Sequence, residues 1–145
     1  MRICKASGSA SNSGWMNNSV VEKLLKKHYS PMNGIGLDDR LWRVLRASFR
    51  LEHCNTLKFD SLPIRSEQLS AFINRLCFDD NVQSTITSIS MNNCSEIQKV
   101  GCLKGLVYLE SAQFAWCKNL DVQNVFQSLP RVRDIDLRIK LLALI

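Results

Sequence analysis

From Leu106 to Leu137 the apolar positions state one spacing twice. Leu106, Leu109, Ala112 and Phe114 recur 23 residues on as Leu129, Val132, Ile135 and Leu137, with Cys117 and Leu120 closing the first set. A fixed period in this range implies a repeat, because one short strand and its return segment cannot bury an apolar face alone and must stack on neighbours.

The rest of the chain divides around that echo. Residues 1–18 are rich in Ser, Asn and Gly, with Trp15 as the one bulky residue, and read as a disordered arm. Residues 19–53 read as a helical segment. Ser19 and Glu22 have capping-box spacing, and Val21, Leu24 and Leu25 then share a face. Turn residues from Ser30 to Gly36 break the chain before a second helix that starts near Asp38 or Asp39, with Leu41, Val44, Leu45 and Phe49 inward.

From residue 54 to 145 strands and helices alternate. Leu57 and Phe59 alternate with Thr56, Lys58 and Asp60, which predicts a strand. Ser66 then reads as an N-cap before a helix facing inward with Leu69, Phe72, Ile73 and Leu76. Asp79–Asn81 reads as a polar loop, and Ile86, Ile89 and Met91 lead into a second strand. Gly101 and Gly105 leave room for no more than a turn or an abbreviated helix. A third strand passes through Ala112 and Phe114, Asp121 caps a helix with Val122, Val125, Phe126 and Leu129 inward, and Val132, Ile135 and Leu137 supply a fourth strand.

Written out, Ile86-x-x-Ile89-x-Met91-x-x-Cys94-x-x-Ile97 and Leu109-x-x-Ala112-x-Phe114-x-x-Cys117-x-x-Leu120 resemble leucine-rich repeats of the cysteine-containing, ribonuclease-inhibitor-like kind. Phe126 to Leu137 resembles the helix-to-strand passage of such a repeat. The match runs from about residue 54 onward. The first unit is longer, since Leu57 and Ile89 are 32 residues apart, and Lys140 stands where the last unit would have Cys or Asn. The resemblance implies an α/β fold: a short irregular leucine-rich-repeat solenoid of about four strand-helix units behind an N-terminal helical segment. It also implies protein binding, as in the recognition subunits of ubiquitin ligases that pair such repeats with an F-box. The first 53 residues carry no recognisable F-box.

Stacked parallel strands would gather their outward residues on one concave face. Those residues are Lys58 and Asp60, then Ser88, Ser90 and Asn92, then Ser111 and Gln113, then Asp134, Asp136 and Arg138. This face is the expected protein-binding site. Trp116 is either an interface anchor on it or packing between units.

Charge adds a second surface. Residues 1–60 hold ten Lys or Arg against five Asp or Glu, and residues 61–145 nine against eight, so most of the net charge of +6 lies early. Arg40, Arg43, Arg46 and Arg50 fall within about a third of a turn of one another on the second helix. That stripe is either a solvated face or an anion-binding surface, and the alternative function is an adaptor for anionic surfaces or nucleic acid.

The chemistry of catalysis is thin. His28 and His53 are the two histidines, and His53–Cys54, the one adjacent pair of base and nucleophile, need not face each other. No cysteine spacing matches a metal site, and Gly34 and Gly36 lack the Lys-Ser/Thr of a phosphate loop. The expectation is a non-enzymatic module with no cofactor and no metal, in cytoplasm or nucleus, where its six cysteines stay reduced. No membrane span is expected, and the apolar, uncapped end Lys140–Ile145 predicts self-association as a dimer, a missing continuation or poor solubility.

Overall fold

The computed structural model describes residues 19–138. The expected arm with Trp15 and the apolar end with its predicted self-association lie outside the described residues. Within them the chain is mixed α/β, built on a four-stranded parallel sheet.

The first helix, α1, spans Val20–Lys27 and buries Val21 and Leu25. Ser19 Oγ accepts from the Glu22 amide as the capping spacing predicts. The other half of the cap comes from a distant residue. The Glu52 carboxylate accepts from Ser19 Oγ at 3.0 Å, from the Val20 amide at 2.6 Å and from the Val21 amide at 3.3 Å. A carboxylate at a helix N-terminus both satisfies orphan amides and meets the positive end of the dipole.

The turn between the helices is a small antiparallel ribbon, β1 (Tyr29–Ser30) against β2 (Gly34–Ile35), where only a break was expected. Gly34 makes it feasible: it sits at φ +68, and a Cβ there would lie 2.9 Å from Gln68 Cβ. Helix α2 covers Asp39–Glu52, capped by Asp38, whose carboxylate accepts from the Leu41 amide at 2.7 Å. Its inner face is Leu41, Trp42, Leu45 and Phe49, which corrects the expected place of Val44, now 45% exposed. The indole offers more apolar area than a valine, and the Arg75 guanidinium covers it at 4.9 Å from the ring centre.

Strands β3 (Thr56–Lys58), β4 (Ser88–Ser90), β5 (Ser111–Gln113) and β6 (Asp134–Asp136) lie in that order, all parallel. Leu57, Ile89, Ala112 and Ile135 are register partners, so the sequence offsets of 32, 23 and 23 become spatial alignment. Between the strands come α3 (Ser66–Cys77) with the short α4 (Asp80–Gln83), a 3-10 turn (Gly101–Gly105), and α5 (Val122–Ser128). Leu69, Phe72, Ile73 and Leu76 are all buried, with the Phe72 ring edge-on to Phe59 at 5.5 Å. A single apolar cluster runs from Val21 and Leu25 through the sheet to Val125 and Leu129.

Three local expectations are corrected. The segment Asp79–Asn81 opens α4, because the Asp79 carboxylate accepts from the Asn81 and Val82 amides. Ser66 is the first helical residue of α3 and does not cap it. Gln68 Oε1 accepts from the Arg65 amide instead, and Ser66 Oγ accepts from the Gln98 and Lys99 amides of the next loop. Phe126 is 55% exposed; the buried residues of α5 are Val125 and Ser128, with Leu129 at its C-cap, packed on the 3-10 turn.

Candidate functional site

Register turns the outward residues of the sheet into rows. Thr56, Ser88, Ser111 and Asp134 form one, and Lys58, Ser90, Gln113 and Asp136 the next. The backbone ladder continues past the strands, with the Ser61 amide donating to Asn92 O, Asn93 to Ala115 O and Trp116 to Arg138 O. This adds a third row of Asp60, Asn92, Ala115 and Arg138.

The rows differ in how their polar atoms are used. Asp60 Oδ1 accepts from Ser90 Oγ at 2.6 Å and from the Asn92 amide at 2.9 Å. Asn92 Nδ2 donates to Ser90 Oγ at 3.3 Å and to Gln113 Oε1 at 3.2 Å, while Asn92 Oδ1 accepts from the Ala115 amide at 2.9 Å. Ser88 and Ser111 bond to each other at 2.9 Å. Ser90 is buried, which corrects its expected exposure: its small side chain is roofed by the residues it bonds. Asp60, Ser90 and Asn92 therefore hold the strand ends together.

The last strands present more accessible groups. Asp134 and Gln113 are exposed, and Asp136 accepts a two-point contact from Arg138, Nε at 3.2 Å and an NH2 nitrogen at 2.9 Å. Lys58 is half-buried at the other edge.

The turns after the strands share a second register. Ser61, Asn93 and Trp116, each four residues beyond a buried strand centre, all adopt the left-handed conformation, at φ 67, 60 and 63. Asparagine tolerates that region, and a bulky side chain costs about 1 kcal/mol there. Trp116 nevertheless occupies it, with the residue 46% exposed. Of the two readings of Trp116, the exposed one fits this geometry better. The offset of four is constant, but Ser, Asn and Trp share no turn preference, so the residue types do not mark these turns.

One residue further, Cys94 and Cys117 lie beneath the turns. The Cys94 thiol donates to Phe59 O at 3.0 Å and the Cys117 thiol to Met91 O at 2.8 Å, each tying its turn to the preceding strand. The neighbouring Cys117 thiol, together with burial, raises the Cys94 thiol above the usual range. Burial likewise pushes Cys102 up to about 11 and raises Cys54 and Cys77. Cys54 donates to Thr56 O, and His53 is the left-handed C-cap of α2, so the adjacent pair does not form a nucleophile with its base. Among the described residues no three of His, Cys, Asp and Glu converge in a metal-binding group.

On α2, Arg40, Arg43, Arg46 and Arg50 are all exposed. Arg46 is engaged with Asp79 at 3.3 Å, so the expected anion-binding stripe reduces to Arg40, Arg43 and Arg50, none with an acidic partner among the described residues. A cleft of about 390 Å³ between the 3-10 turn and α5 is lined mainly by aliphatic groups such as Leu103, Leu106, Leu109, Leu129 and Val132. No described helix is long and apolar enough to cross a membrane.

With this geometry in place, what is shown is a mixed α/β chain on a parallel four-stranded sheet. No family model matches it, and no curated protein or solved structure does either.

Proposed function

We propose that this chain is a non-enzymatic protein-interaction module, a short leucine-rich-repeat-like solenoid that binds a partner on its polar strand face. Three features support the repeat reading: the in-register offsets of 23, the left-handed turn residue four places after the centres of β3, β4 and β5, and the cysteine at the fifth place after the centres of β4 and β5 bonding back to the preceding strand. Recognition or adaptor duty in a ubiquitin-ligase-like assembly is the role that resemblance suggests.

The observation that carries the binding reading is the division of the face. The Asp60, Ser90 and Asn92 end is spent on internal hydrogen bonds that reach as far as Gln113 Oε1, whereas Asp134 and Arg138 are exposed and Asp136 half-buried beside the half-exposed Trp116. Interfaces draw on aromatic and arginine anchors of this type.

The test exchanges Asp136 and Arg138, as Asp136→Arg with Arg138→Asp, so that the intramolecular ion pair survives while the polarity of the face inverts. Proteins captured by the wild-type chain are expected to be lost by the exchanged chain at an unchanged melting temperature. Capture of the same proteins by both would refute the assignment of this face.

A further inference from the structure

The outward side of α2 carries a second feature that the strand face does not use. At 100° per residue Val44, Ala47 and Leu51 form one outward stripe, all exposed, with Leu51 82% accessible. Arg40 continues the stripe at its N-terminal end, and Arg43 and Arg50 flank it on one side. Val20 stands at the C-terminal end of the same helix, its amide held by Glu52, and is 46% exposed.

The acidic residues of this segment are engaged, Asp39 the least of them, its carboxylate 95% exposed. Glu22 pairs with Lys26 at 3.3 Å, Asp38 caps α2, Asp39 reaches Arg75 at 3.7 Å, and Glu52 caps α1. Lys23, Lys27, Arg40, Arg43 and Arg50 have no ion-pair partner among the described residues. The surface thus presents aliphatic side chains bordered by uncompensated positive charge.

We propose that this ridge docks an acidic amphipathic helix of a partner protein, its aliphatic stripe on Val44, Ala47 and Leu51 and its carboxylates on Arg40, Arg43 and Arg50. Both halves of the surface are used by that occupant. A phosphate backbone would satisfy the arginines and leave Leu51 against charge, and a lipid surface needs a broader apolar face than one small stripe on a helix whose other side is in the core. Arginine suits carboxylates because its planar fork can meet both oxygens.

The experiment measures binding of the full chain, by fluorescence polarisation, to a labelled peptide with Leu at i, i+4, i+7 and i+11 and Glu on the flanking positions. Its Glu→Gln counterpart, a duplex RNA and phosphatidylserine vesicles serve as the other probes. Saturable binding of the acidic peptide is expected, weakened at least about tenfold by Leu51→Asp and also by Arg43→Glu with Arg50→Glu. Both sites are exposed, and urea unfolding verifies that the variants fold. The proposal is overturned if the acidic peptide does not bind, if it binds no better than the Gln peptide, if Leu51→Asp leaves binding unchanged, or if RNA or vesicles bind while the peptide does not.

Discussion

Replacing Asp60 by alanine separates the structural part of the polar face from the part proposed to bind. The substitution removes the acceptor of two hydrogen bonds, from Ser90 Oγ at 2.6 Å and from the Asn92 amide at 2.9 Å. Ser90 is buried but can redirect its hydroxyl toward Gln113 Oε1, 3.5 Å away, so it recovers part of its loss. The Asn92 amide has no such substitute among the described groups and is left part-buried and unpaired, which costs about 1 to 3 kcal/mol. Adding the weakened Ser90 bond, and discounting because Asp60 itself is half-buried and water can reach it, the expected loss is about 2 to 3 kcal/mol.

Urea unfolding followed by tryptophan fluorescence measures this, and with a slope near 1.5 kcal/mol/M the midpoint falls by about 1.5 M. Asp60→Asn keeps an oxygen in place and should cost less than half as much. Asp134→Ala, on an exposed residue of the same face, should stay within about 0.5 kcal/mol. If Asp60→Ala is also within that margin, or if Asp60→Asn is as harmful as Asp60→Ala, the network does not hold the strand ends.

Two further outcomes follow from local geometry. Gly34→Ala should cost about 2 kcal/mol, since it combines a positive φ with a 2.9 Å approach to Gln68 Cβ, while Gly36→Ala, with nothing within 4 Å of a new Cβ, should be nearly neutral by the same urea assay. Asp121 is held below the ordinary carboxylate range, first by Lys99 at 2.7 Å and then by the Asn124 amide. Its contribution is therefore present above the ordinary value of 3.8 and is lost as pH falls through the lower folded value, so the acid arm of a stability profile should flatten in Asp121→Asn, and an unchanged arm would contradict the linkage.

What was legible in the sequence was whatever depends on spacing along the chain. Leu69, Phe72, Ile73 and Leu76 face the core because 3.6-residue periodicity puts them on one side of a helix, and Ile89, Ala112 and Ile135 align because equal offsets stack equal units. Arg40, Arg43 and Arg50 were legible as a stripe for the same reason. Spacing failed where two faces competed for burial: α2 turned Trp42 inward and Val44 outward once Arg75 was there to cover the indole, and Phe126 turned outward where α5 met a 3-10 turn.

Tertiary structure alone decided the partners of polar groups. Glu52 caps a helix more than thirty residues away, Ser66 serves the loop after the next strand, and Asp60 binds the end of its neighbour strand. A carboxylate or hydroxyl carries no mark in the sequence of which orphan amide it will meet, because that pairing exists only after the chain has stacked. The chain therefore announces an ordered set of strands and helices by itself, while the sorting of its outward face into residues that hold the sheet and residues left accessible arises only when Asp60, Ser90, Asn92 and Gln113 are brought within hydrogen-bonding distance.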